Sequence, residues 1–133
     1  MNRKVVKSII IYVIINIKYW ENIERVVIMK DTIDRIRKFR NDRDWSQFHT
    51  PANLSKAISI EAGELLEEFL WDDKNYNKEH VLEELADVMV YCIQMADSLG
   101  VDLEDIINSK MDKNEKKYPV EKAKGNSKKY TQL

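Results

Sequence analysis

Turn chemistry is scarce in this chain, which has three glycines and two prolines in 133 residues. β-Sandwiches and barrels need Gly, Pro and Asn at many tight turns, so the scarcity excludes them and favours helices. A single cysteine, Cys92, cannot form a disulfide within the chain. Set among apolar residues, it reads as a small core residue kept in a reducing cytosol. No Gly-rich phosphate loop is present, which removes the P-loop solution to nucleotide binding. Acidic and basic residues nearly cancel, to a net charge of −1, and so give no argument for a nucleic-acid-binding surface. The most apolar uncharged stretch, residues 8–17, ends at Lys18, well short of the ~20 apolar residues of a membrane span.

What the chain does have is carboxylates in unusual places. Glu61 and Glu64 in E-A-G-E, and Glu84 and Asp87 in E-L-A-D, form two pairs at a spacing of three. On a helix such pairs share a face, with Cβ atoms about 5–6 Å apart. Two such helices packed antiparallel converge all four acids. Stepping about 100° per residue from Glu61, Leu54, Ala57, Ile58 and Leu65 fall near its direction, and Val81, Val88, Tyr91 and Met95 project near Glu84. The acids therefore lie in apolar stripes, where carboxylates lose hydration and repel one another unless they take up protons or bind a cation. A solvated helix face does not explain that placement, although it does explain Glu67, Asp72, Asp73, Glu79 and Glu83. All-oxygen ligands, with no His or Cys at these spacings, point to a hard ion: Mg²⁺, with Mn²⁺ as a substitute. Charge is also segregated along the chain. Ten acids face Lys74 and Lys78 between Glu61 and Asp87, whereas five lysines face Glu121 alone from Lys117 onward. An acidic centre with a basic tail suits a metal–polyphosphate ligand.

The hydrophobic pattern predicts an all-α fold. Residues 1–28 form an extra segment, with Arg3, Lys4 and Lys7 ahead of Ile9–Ile15. They read either as a mis-assigned start upstream of Met29 or as a weak hydrophobic anchor, and no stable membrane association is expected. From residue 29 to 118 the pattern is helical. Asp31 is the expected cap of a helix carrying Ile33, Ile36 and Phe39. Thr50-Pro51 starts a second helix, expected to run to about Trp71. Asn77 caps a third that stops at Gly100, and Asp102 caps a fourth with Leu103, Ile106, Ile107 and Met111 on one side. Residues 119–133 read as a mobile basic tail. The third helix is apolar around so much of its girth that it should be buried between subunits.

The ordered motifs D-W-S-Q-F-H-T-P-x-N-L, E-A-G-E-L-L-E-E-F-x-W, E-E-L-A-D-V and N-E-K-K-Y-P resemble those of the MazG-like all-α nucleotide pyrophosphohydrolases, in particular the dCTP pyrophosphatase branch. The resemblance runs from Met29 through the S-K-K-Y-T tail. It implies a four-helix fold assembled as a homo-oligomer, usually a tetramer, in the cytoplasm. It also implies a Mg²⁺-dependent enzyme that cleaves a nucleoside triphosphate, dCTP or a related or modified nucleotide, to monophosphate and pyrophosphate. By position, Glu61, Glu64, Glu84 and Asp87 match the metal-binding acids, and either Glu61 or Glu64 takes the proton of the attacking water. Trp45 and Trp71 stand where this branch places aromatics around the base, with Tyr91 one turn beyond Asp87. Lys110, Asn114 and Lys117 match the phosphate side of the last helix.

Each assignment has a plainer rival. A tryptophan at a helix end is often a lid on the core. His49 touches ligand or satisfies a loop carbonyl. His80 reads as an exposed first-turn residue. Asn114 needs a partner that is a phosphate, a water or a neighbouring backbone group. At the level of the whole protein the rivals are a non-catalytic nucleotide-binding regulatory module, a di-iron bundle and a purely structural bundle. The complete acid set argues against the first, the missing Glu-x-x-His motif against the second, and the acids' placement against the third.

Overall fold

A computed structural model describes residues 29–133; the readings of residues 1–28 lie outside the described residues. Every regular element among the described residues is helical, and none of the helices is long and apolar enough to cross a membrane. The chain divides between Ser46 and Gln47 into two compact units.

In the first unit, helix α1 covers residues 29–41. Residues 29 and 30 are already helical, so Asp31 lies inside the helix and does not cap it. Neither Gly nor Pro interrupts the stretch, and ion pairs on the helix surface support it: Lys30 with Asp34, and Lys38 with Asp42 at 2.6 Å. Such exposed pairs contribute only a few tenths of a kcal/mol each. Asp44, at φ 53°, turns the chain out of the helix. The Phe39 ring meets Trp45 edge-on, with centroids 5.8 Å apart, and carries the Arg43 guanidinium at 3.6 Å.

The second unit holds α2 (Pro51–Glu67), α3 (Lys78–Leu99), α4 (Leu103–Lys117) and the short α5 (Val120–Ala123). The expected starts are all present. Thr50 Oγ1 accepts from the Asn53 N–H at 3.2 Å with Pro51 at the first helical position, and Asn77 Oδ1 accepts from the Glu79 N–H at 3.0 Å. Asp102 Oδ1 accepts from the N–H groups of Glu104 and Asp105. Each such cap stabilises its helix by about 1 kcal/mol. Gly100 closes α3 at φ 66°, with the Val101 N–H reaching back to the Ala96 carbonyl at 3.1 Å. The left-handed conformation makes glycine the natural residue there.

Two expected boundaries differ. α2 ends at Glu67 rather than near Trp71, because Phe69 leaves the helical axis to stack on Tyr76, with centroids 4.8 Å apart. Asp72 accepts from the N–H groups of Lys74 and Asn75, which fixes a turn just past the expected end of the helix. The segment after Pro119, expected to be mobile, forms α5 and a 3₁₀ turn at Tyr130–Gln132.

α2 and α3 run antiparallel. Glu61 lies beside Asp87, while the Ser98 hydroxyl donates to the His49 carbonyl at 3.1 Å, so residue numbers fall on one helix as they rise on the other. Their shared face holds the core: Leu54 at 1% exposure, Ile93 and Ala96. Burying a Leu of this kind is worth about 1.5–3 kcal/mol. α4 behaves differently, since all its residues except Leu103 and Asn114 are exposed.

Candidate metal centre

The α2–α3 register brings the two acid pairs together. One carboxylate oxygen from each of Glu61, Glu84 and Asp87 lies within 4.8 Å of the others. Glu61 and Glu84 are half-buried, and Asp87 is exposed. Loss of hydration raises the Glu61 carboxyl above its ordinary range, and the negative charges of Glu64, Asp87 and Glu84 raise it further. Glu84 is raised by the same loss of hydration, then by Glu64, Asp87, Glu68 and Glu83. None of the four acids is ion-paired among the described residues. Uncompensated carboxylates gathered on rigid helices, with oxygen as the only donor, fit a hard divalent cation such as Mg²⁺.

Glu64 takes a different place from its three companions. It is exposed and lies outside the close oxygen group, yet its charge acts on both Glu61 and Glu84. Sequence reasoning missed Glu68. Seven residues after Glu61 and therefore on the same helix face, its side chain is 23% exposed, adds to the field on Glu84 and meets His80 Nδ1 at 3.5 Å. His80 is exposed in the first turn of α3 as expected, but it bridges to α2. The heptad spacing of Glu61 and Glu68 was the available signal.

On α3 the face continues from Asp87 to the half-buried Tyr91 and then to Gln94, which is buried with no hydrogen-bond partner for its side-chain oxygen among the described residues. His49 is half-buried, and its backbone carbonyl accepts from the Ser98 hydroxyl; that main-chain contact bears on neither reading of the imidazole. Trp71 stands 93% exposed in the turn after α2, so it is no lid on the core of this chain. Trp45 belongs to the first unit, packed on Phe39. On α4, Lys110 is exposed, Asn114 is half-buried, and the Lys117 ammonium lies 4.9 Å from the centre of the Tyr130 ring. Cys92 is half-buried and free.

Comparison with known proteins gives a consistent result. A family model described as MazG-like matches residues 56–133. The dCTP pyrophosphatase 1 of Mus musculus is 38% identical over 115 residues, covering 77% of this chain and 68% of its own length. That of Homo sapiens gives the same identity and coverage. Among solved structures, a pyrophosphatase from Archaeoglobus fulgidus superposes with a TM-score of 0.60 at 37% identity, over 68% of this chain and 92% of that one.

Proposed function

The chain belongs to the MazG-like family, and from that premise we propose that it is a Mg²⁺-dependent nucleoside triphosphate pyrophosphohydrolase acting on dCTP or a related or modified nucleotide. The observation that carries the reading is the convergence of Glu61, Glu84 and Asp87 within 4.8 Å, with no cation paired to them among the described residues. Its relatives are pyrophosphatases by name, which supports cleavage between the α and β phosphates. Four acids alone would serve attack elsewhere on the triphosphate equally well.

Glu61, Glu84 and Asp87, with Glu64 beside them, would hold the ion. When bound, Mg²⁺ neutralises phosphate charge and makes water a stronger nucleophile. The chain's own part is to place the α phosphorus and to accept a proton. Water oxygen bonds to the α phosphorus, the bond to the bridging oxygen breaks, and pyrophosphate leaves while a carboxylate of the Glu61/Glu64 pair takes the proton. Trp45, Trp71, Tyr91 and His49 would bind the nucleoside, and Lys110, Asn114 and Lys117 the phosphates. The enzyme would work in the cytoplasm on the nucleotide pool.

Assembly into a homotetramer is part of this reading. Leu82, Leu85 and Met89 on α3 and Ile106, Ile107 and Met111 on α4 are all exposed in the single chain, more apolar surface than a monomer ordinarily leaves in water. Light scattering at micromolar concentration should return an oligomer; a monomer removes this part. The activity is tested by incubating the protein with a panel of NTPs and dNTPs plus Mg²⁺ and identifying products. Monophosphate with pyrophosphate is the expected outcome. Diphosphate with phosphate overturns the reaction, and binding without turnover makes the protein a regulatory module.

A further inference from the structure

The C-terminal segment is basic and ordered, with Glu121 as its single acidic side chain. Gly125, at φ 71°, turns the chain after α5, and Asn126 Oδ1 accepts from the Lys128 N–H at 2.9 Å. The Tyr130 ring then meets Tyr118 edge-on, with centroids 5.9 Å apart, and receives the Lys117 ammonium on its face. Tyr118 follows the last residue of α4, so these contacts fold the segment back onto the end of that helix. Lys122, Lys124, Lys128 and Lys129 are exposed and make no ion pair among the described residues. Lys30 and Lys38 of α1, by contrast, each hold an aspartate. Ammonium groups concentrated on an ordered scaffold, with no carboxylate paired to them, set up a positive field for a compact polyanion.

We propose that the folded-back segment, pinned by Tyr130, binds the inorganic polyphosphate end of the substrate: the β and γ phosphates and the pyrophosphate they become. This rests on the nucleotide reading above and adds residues to it. Helix lengths support the placement. Lys117 and Glu84 lie at nearly equal distances from Gly100 along α4 and α3, about 24–26 Å at 1.5 Å per residue. In an assembly that sets α4 antiparallel to α3, the basic end would stand level with the acids. A triphosphate held by a cation at the acids presents its most negative end there.

The test titrates inorganic tripolyphosphate into the full chain by calorimetry, at low ionic strength and without divalent metal, so that the acid cluster repels the probe. The K124Q/K128Q/K129Q variant should bind at least tenfold more weakly. Tyr130→Leu, which keeps every lysine, should bind at least threefold more weakly, because the site is a folded element. With Mg²⁺ present, KM for the nucleotide should rise by similar factors with kcat little changed. Wild-type affinity in the lysine variant overturns the site, and wild-type affinity in Tyr130→Leu reduces it to diffuse charge and overturns it equally. Tripolyphosphate binding through these residues without any nucleotide turnover would sink the enzymatic reading and leave the site standing.

Discussion

In the α2–α3 hairpin the apolar residues find one another and the charges do not. Leu54, Ile93 and Ala96 are buried between the helices, while Glu61 and Glu84 are held half-buried beside like charges. In α4 the reverse holds. Ile106, Ile107 and Met111 stay exposed, and the helix is stabilised locally: the Asp102 cap, Glu104 and Asp105 in the first turn, Lys116 and Lys117 in the last. Charges so placed complement the helix dipole at about 0.3–1 kcal/mol each. The hairpin is thus stable enough to hold repelling carboxylates in place, and α4 is stable enough to present an uncovered apolar face. One region lacks a cation and the other lacks a covering surface.

The largest effect should come from breaking the acid cluster. Glu64→Ala or Asp87→Ala should lower Mg²⁺-dependent turnover by about a thousandfold or more, since metal-borne charge stabilisation is worth several kcal/mol. Circular dichroism should show the helices intact, and the melting temperature in metal-free buffer should hold or rise as repulsion is relieved. Retained turnover in both variants would mean that the metal site is elsewhere.

The tryptophans sharpen the comparison from the ligand's side. Replacing Trp45 or Trp71 with Ala removes a stacking surface worth about 1–3 kcal/mol, so KM should rise about 5- to 150-fold for every accepted nucleotide while kcat moves less. Trp71 is 93% exposed, so its loss should leave the melting temperature of a dissociated chain unchanged. Unchanged KM with a large fall in stability would make these residues structural.

How much was legible in advance follows from where the information resides. Caps are local, and Thr50, Asn77, Gly100 and Asp102 were each identifiable from residue type and spacing. Of the four acids expected to converge, Glu61, Glu84 and Asp87 do, because antiparallel packing of two periodic helices leaves little freedom. The end of α2 was not legible, since it depends on Phe69 reaching Tyr76 across a link. Nor was the division of labour among the acids: Glu64 stays outside the close oxygen group and Glu68 comes in against His80. Those details depend on helix rotation by a fraction of a residue, finer than a hydrophobic period resolves. The folded C-terminus was hidden for a similar reason, its ordering resting on two tyrosines twelve residues apart.

A smaller effect separates repulsion from packing within the hairpin. Glu61 and Glu84 are raised above the ordinary glutamate value of 4.5. A carboxyl raised in the folded state favours folding while protonated, so its contribution is fully present below the unfolded value and is lost as pH rises through the folded one. Asp72 acts oppositely. It is held low by the Asn75 side chain and then by the Lys74 and Asn75 N–H groups, and its contribution is lost as pH falls. In metal-free buffer the wild type should therefore lose stability relative to Glu84→Gln as pH rises from 4.5 through the raised range, and Mg²⁺ should abolish the difference. Parallel pH curves for the two proteins would show that Glu84 is not strained.

The smallest effect tests whether the surface between the acids is covered. Gly63 sits inside α2 between Glu61 and Glu64, and a Cβ there would meet nothing within 4 Å. Glycine in a helix interior costs about 0.5–1 kcal/mol relative to alanine, so on the chain alone Gly63→Ala should stabilise by that amount. A second copy or a nucleotide lying close against this turn would use the missing Cβ as clearance. Denaturant unfolding of a dissociated chain should then show the gain, while the assembled enzyme shows weaker association or a raised KM. A gain of equal size in both states, with assembly and KM unchanged, would mean that this face of α2 stays in water and that the acids are approached from the α3 side.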